Sequence, residues 1–258
     1  MGAVQAPVAR TPRTRRTYHH GDLPRGLVAA ATRLLDERGS TGVTLREAAR
    51  QAGVSQAAPY RHFASKEELL AAVAAEAFLA LKAACAAAVE ADPGDAAHRL
   101  EVVAVAYVRF AVEHPARYRL MWAPTPRGRD HPTLAAAARA TGEPLLAALR
   151  ACLPPGEAGE PAVQRLFVLW SLLHGIAGLV LDEQIPHEVL ETVPVEALVR
   201  AALQVARDGL LAPIGAPREA RRARTAATGP APGRSSDPGS EGWFRPAAWK
   251  SAASGLGV

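Results

Sequence analysis

The sequence predicts an all-α chain, with three short helices ahead of a larger helical body, and three observations carry that expectation. Alanine and leucine dominate, and no alternation of β-branched residues is sustained anywhere in the 258 residues. Two sequences, Thr44-Leu-Arg-Glu47 and Ser65-Lys-Glu-Glu68, have the pattern in which a hydroxyl bonds the third helical amide while the carboxylate reaches back, so each opens a helix. Between Leu23 and Leu211 the apolar residues recur at helical spacing, broken only by short interruptions.

Residues 1–17 hold Arg10, Arg13, Arg15 and Arg16 with prolines and no acid, and read as a disordered basic arm. A small unit follows over residues 18–66. Its first helix spans 23–38, with Asp22 as N-cap, Pro24 in the first turn and Gly39 at the end. The second starts at Thr44, buries Leu45, Ala48, Ala49 and Ala52, and stops at Gly53. Ser55 caps a third, 56–63, in which Pro59 removes only the first intrahelical bond.

The larger body spans residues 67–211. A long helix runs from the second capping box to about residue 90, and Pro93-Gly94 breaks it. The next, 95–113, carries Leu100, Val103, Ala104, Tyr107 and Phe110 on one face. Pro115 starts a short segment, 116–122. A helix over 133–152 ends at Pro154-Pro155-Gly156, and the most apolar one follows at 161–181. The last, 195–211, lines up Leu198, Ala202, Val205 and Ala206. Residues 212–258, rich in Ala, Pro, Gly, Ser and Arg, read as a disordered tail in which Trp243, Phe244 and Trp249 are candidates for docking.

Composition narrows the function. With 49% hydrophobic residues the chain buries a real core. Cys85 and Cys152 stand far apart without disulfide or zinc spacing, and no secretory signal is legible, which together point to the cytoplasm. The longest uncharged apolar stretch, residues 166–181, is 16 residues, short for a membrane span and suited to a buried helix. Charge is uneven: Lys and Arg number 11 against 4 acids in residues 1–66, 12 against 18 in 67–211, and 7 against 3 in 212–258. A basic N-terminal unit on an acidic body fits a nucleic-acid module joined to a different domain. No Gly-x-Gly-x-x-Gly, phosphate loop or Gly-x-Ser-x-Gly occurs, and His187-Glu-Val-Leu-Glu191 lacks the second histidine of a zinc-protease helix. No catalytic centre, cofactor or metal is expected.

Two short helices joined through Gly53-Val54 and braced by a third form a helix-turn-helix plan, whose second helix lies in the major groove. Here that helix offers Ser55, Gln56, Ala57, Tyr60, Arg61 and His62: an amide for adenine, a methyl for thymine and donors for phosphate. The same residues equally make an ordinary solvated face. The run from Thr44 to Leu70, TLREAARQAGVSQAAPYRHFASKEELL, resembles the DNA-binding domain of TetR/AcrR-type regulators, most closely at Gly53-Val54-Ser55, Tyr60-Arg-His-Phe63 and Lys66-Glu-Glu-Leu-Leu70. The resemblance implies phosphate contacts from Thr44, Tyr60, His62 and Lys66, and base or groove contacts from Arg46, Gln56 and Ala57. Pro59, where many members carry leucine, departs from the pattern.

In the body, Trp170 and His174 lie four apart on one helix face. Trp170-Ser-Leu-Leu-His-Gly175 resembles the Trp-His-Gly signature of one class of C-terminal domain in these regulators. His174 reads either as a core imidazole bonded to a carbonyl or as a ligand contact, with Trp170, Tyr107 and Phe110 beside it. Gly175 and Gly178 cost ~1 kcal/mol each inside a helix and mark a place where another helix approaches closely. The resemblance implies a homodimer built from the last two helices, with Gly175, Gly178, Leu198, Ala202 and Val205 at the interface. It also implies double-stranded DNA, a palindromic operator, as partner, and a small-molecule ligand that releases it. A DNA-binding dimer regulated by a partner protein instead is the alternative.

Overall fold

A computed structural model of the protein describes residues 23–124, 131–154 and 156–210, with side chains described to residue 206. The basic arm, the Asp22 cap and the tail with its aromatics lie outside the described residues. Ten α-helices occur among them: α1 Leu23–Arg38, α2 Leu45–Ala52, α3 Lys66–Ala91, α4 Ala96–Glu113, α5 Pro115–Met121, α6 Pro132–Thr141, α7 Glu143–Ala151, α8 Glu160–Leu181, α9 His187–Thr192 and α10 Val195–Leu210.

The starts follow from caps. Thr44 accepts from the Glu47 amide at 3.1 Å, Ser65 from the Glu68 amide at 3.2 Å, and Asp95 from the His98 amide at 2.8 Å. Only half of each expected capping box closes. Glu47 is drawn away by Arg38 and Arg50, which hold its carboxyl below the usual carboxylate range, the Arg50 hydrogen bond most of all. Glu68 reaches one residue further back and accepts from the Ala64 amide at 2.6 Å. Gly53 ends α2 with φ 73°, left-handed backbone that favours glycine.

Two expected helices change at prolines. Residues 133–152 form α6 and α7 rather than one helix, because Pro144 has no N–H to meet the Ala140 carbonyl; Gly142 sits at the joint and bonds back to Arg139. The expected helix 56–63 is replaced by a turn and a 3₁₀ segment, Pro59–Arg61. Ala58 donates to the Ser55 carbonyl at 3.0 Å, Arg61 to Ala58 at 3.3 Å, and His62 and Phe63 both to Pro59 at 2.9 Å. Pro59 cannot donate to Ser55, and its ring crowds that carbonyl, so more than one helical bond is lost.

One continuous core runs through both parts. In the N-terminal unit Leu27, Leu34, Val43, Leu45, Ala48 and Phe63 close on Leu69 at the start of α3. Helix α3, about 39 Å long, then continues into the body, where it packs on α4, α5, α6 and α7. Helix α4 packs in turn on α7, α8 and α10. Helices α3 and α8 are both long and apolar enough to cross a membrane by length and composition, but they differ in burial. Residues 166–181, expected to suit a buried helix, are buried on one face of α8 only: Leu169, Leu173 and Ala177 face the core, while Phe167 and Val168 are 60% and 57% exposed.

Candidate functional site

The N-terminal unit presents one exposed edge. Thr44 and Arg46 flank the start of α2, and Ser55, Gln56, Ala57, Tyr60, Arg61 and His62 are all exposed across the turn that follows it. Lys66 is half-buried as the first residue of α3. Phe63 points the other way and is 7% exposed, anchoring this edge to the core. Thr44 spends an acceptor on its cap, which leaves the hydroxyl proton for an outside oxygen.

The body contains an aromatic cluster at which the structure joins three of the four expected ligand residues. Trp170 and His174 stack with ring centres 5.3 Å apart. The Trp170 indole donates to the Tyr107 hydroxyl at 3.1 Å, Tyr107 and Tyr118 hydroxyls are 3.0 Å apart, and Tyr118 Oη lies 2.6 Å from His174 Nδ1. An indole only donates, so Tyr107 accepts from Trp170, and the two tyrosine hydroxyls and His174 Nδ1 continue the hydrogen-bond chain. A ring that shares a hydrogen bond with a buried hydroxyl in this apolar cluster favours its neutral form. Burial agrees in direction: it lowers the His174 pKa, lifts the Tyr107 hydroxyl to about 12, and pushes Tyr118 up as well. His174 is thus bonded to a hydroxyl and not to the carbonyl expected of a core histidine.

Trp122 completes the cluster, with ring centres 5.3 Å from Trp170, 5.1 Å from His174 and 5.1 Å from Phe78. Its buried N–H closes no hydrogen bond among the described residues, and its influence on the Tyr118 hydroxyl is to favour the ionised form. Phe110 stands apart: its ring meets His114 and lines a cleft of about 450 Å³ between α3 and α4. A second cleft, about 330 Å³, opens between α4 and α10. Neither touches Trp170 or His174.

Sequence reasoning missed Tyr118 and Trp122, although they stand four apart in the short segment after Pro115 and so share a face of α5. It also missed their neighbours. Arg117 grips Asp36 of α1 with Nε 3.1 Å from both carboxylate oxygens, and Arg119 holds the Leu181 carbonyl and the Asp182 carboxylate at the end of α8. Three successive side chains of α5 therefore reach the N-terminal unit, the aromatic cluster and α8.

The outer face of α8 is apolar and uncovered. Val163, Phe167, Val168 and Leu179 are exposed, and Val205 of α10 is 79% exposed. A Cβ built at Gly175 or Gly178 meets nothing within 4 Å among the described residues, so no described helix of this chain requires those glycines. Leu198 and Ala202 are half-buried, because Val199 and Leu203 form the inward face of α10.

Comparison with known proteins accords with this architecture. Residues 27–73 match the family model described as bacterial regulatory proteins, tetR family, and residues 100–206 match the tetracyclin repressor-like C-terminal domain. The HTH-type transcriptional regulator BetI of Rhizobium meliloti (strain 1021) is 33% identical over 137 residues, 52% of this chain and 68% of that protein. A protein of unknown function from Rhodococcus sp. RHA1 superposes with a TM-score of 0.61 at 34% identity, over 76% of this chain and all of that one. A TetR transcriptional regulator from the same organism shares the fold, with a TM-score of 0.53 at 21% identity over 74% and 96% of the two chains. The chain belongs to the TetR family of DNA-binding bacterial transcriptional regulators.

Proposed function

We propose that the protein is a cytoplasmic, dimeric repressor that holds a palindromic operator and releases it when a small molecule enters beside Trp170 and His174. Phosphates are met by Thr44, Tyr60, His62 and Lys66, with Ser55 and Arg61 beside them, and bases or groove by Arg46, Gln56 and Ala57. The uncovered face of α8 with Val205 of α10 supports pairing with a second copy in a four-helix bundle, with Gly175, Gly178, Leu198 and Ala202 at the seam. The two reading elements then reach successive major-groove faces about 34 Å apart.

The observation that carries the sensing part is α5. The residue that closes the hydrogen-bond chain on His174, Tyr118, is flanked by the residues that grip α1 and the end of α8. A ligand that inserts against Trp170 and takes the free Trp122 N–H displaces Tyr118, and α5 carries that shift to Asp36 and the N-terminal unit. Mostly apolar walls with one or two directional donors suit a planar ligand bearing an acceptor. The Trp-His-Gly resemblance of residues 170–175 belongs to this part of the proposal.

A thermal-shift screen of small molecules, followed by operator binding, tests it. A stabilising compound should quench the cluster tryptophans and lower operator affinity about 5–150-fold, a coupling of ~1–3 kcal/mol. His174→Ala should still dimerise and bind operator yet lose that release. A chain that no small molecule stabilises, but whose DNA binding a partner protein alters, has the other mode of regulation.

A further inference from the structure

The turn that carries Gln56 and Ala57 differs from a reading helix in a way that bears on specificity. From Ser55 to His62 the chain closes through three-residue steps, Ala58 to Ser55, Arg61 to Ala58 and His62 to Pro59, and none of these bonds uses the Tyr60 amide. Pro59 is buried, so its ring is part of the core and its missing N–H is fixed in place. Ala58 stands at φ −61° and ψ −41°, a region that a following proline disfavours. The geometry changes which side chains align. In an α-helix Gln56 and Tyr60 share a face at four residues' spacing. Here no backbone bond ties Tyr60 to Gln56 or Ala57, so the helical face that Gln56 and Tyr60 would share is not formed, and Gln56 stands exposed in the turn ahead of the 3₁₀ segment with Tyr60, 53% exposed, inside it.

We infer that Pro59 is a specificity-determining residue: it makes this chain read DNA with the tip of a turn, one side chain deep, rather than with a helix face. Gln56 then specifies bases at one position of each half-site from the turn, with Arg46 reading from the start of α2, and Tyr60 lies toward the phosphates. Restoring an N–H at position 59 lets residues 55–63 close as a helix, brings Tyr60 beside Gln56 and adds base contacts. The inference rests on the DNA-binding reading above, and phosphate contacts outside the turn, such as Thr44 and Lys66, are common to both geometries.

The test is selection of binding sites by the full-length protein and its Pro59→Ala variant from a random-sequence duplex pool, with salt dependence measured on the winners. The wild type should select half-sites in which the turn sharply specifies one position, beside those read by Arg46. The variant should keep the same half-site spacing and salt slope but change preference by about tenfold at one or more neighbouring base pairs. Identical base preferences would overturn the inference, with the DNA reading intact. A wild type that selects no sequence and binds duplex without salt dependence would remove the DNA reading and this inference with it. Amide exchange in the wild type decides the point without any variant. The Tyr60 amide should exchange quickly, and a Tyr60 amide as protected as those of α2 means the helix survives the proline and the inference is wrong.

Discussion

At the scale of single residues, the cluster around His174 makes the sharpest demands. Tyr118→Phe removes the hydroxyl that links Tyr107 to His174 and strands two buried polar groups, at a cost of about 1–3 kcal/mol in urea unfolding with an unchanged slope. A loss well under that range would mean the hydrogen-bond chain is not held in solution. The same histidine sets a pH dependence. Burial lowers its pKa from 6.5, so the folded protein prefers the neutral ring and the unfolded chain takes up the proton first as pH falls. Its contribution is complete above about pH 6.5 and is lost as pH falls below that towards the folded value. Melting temperature measured down that window should therefore fall more steeply for the wild type than for His174→Asn, whose amide oxygen also accepts from Tyr118. Equal slopes would place the ionised ring in solvent. On the DNA edge, Lys66→Ala should weaken all sequences alike, whereas Gln56→Ala should cost ~1–3 kcal/mol mainly at one base position, as measured by competition binding.

At the scale of elements, what the sequence could reveal depended on whether the signal was local. Caps and glycines act within one turn, so the starts of α2, α3 and α4 and the end of α2 were legible at Thr44, Ser65, Asp95 and Gly53. Mid-pattern prolines misled because apolar periodicity continues across them: Pro144 divides a regular stripe into α6 and α7, and Pro59 turns a helix into a 3₁₀ segment. The pair Trp170 and His174 was visible as an i, i+4 neighbour relation, whereas their hydrogen-bond partners come from α4 and α5, a tertiary fact that spacing on one helix does not encode. Phe110 was grouped with Tyr107 by helical proximity, yet one turn rotates it from the cluster to the α3–α4 cleft. The glycines of α8 allow a clean separation of effects. Since nothing among the described residues lies within 4 Å of a Cβ built there, Gly175→Ala should stabilise the helix by up to ~1 kcal/mol, while Gly175→Leu should leave each chain folded and dissociate the dimer in sedimentation. Gly175→Leu that stays dimeric would move the seam elsewhere.

At the scale of the whole molecule, the parts have opposite electrical character and are joined mechanically along α3 and through α5. Residues 1–66 are basic in sequence and residues 67–211 acidic, and among the described residues the shared core, the continuous α3 and the Arg117–Asp36 pair join the two parts. The ion pair is about a third exposed, so its value to stability is at most about 1 kcal/mol, and its importance is positional. If α5 transmits, Asp36→Asn should leave ligand-free operator affinity nearly unchanged and reduce ligand-induced release, and a variant released as fully as the wild type would confine the coupling to α3. All of this presupposes that two copies lay the exposed edge from Thr44 to Lys66 on DNA. The most direct test is the affinity of the full-length protein for a selected palindromic duplex, measured between about 50 and 200 mM salt with the stoichiometry determined alongside. With roughly 6–10 charged contacts per dimer, the account expects two chains per duplex and a fall in affinity of ~10³–10⁵ across that range. A flat salt response, or a single chain bound with full affinity to an asymmetric site, would contradict it.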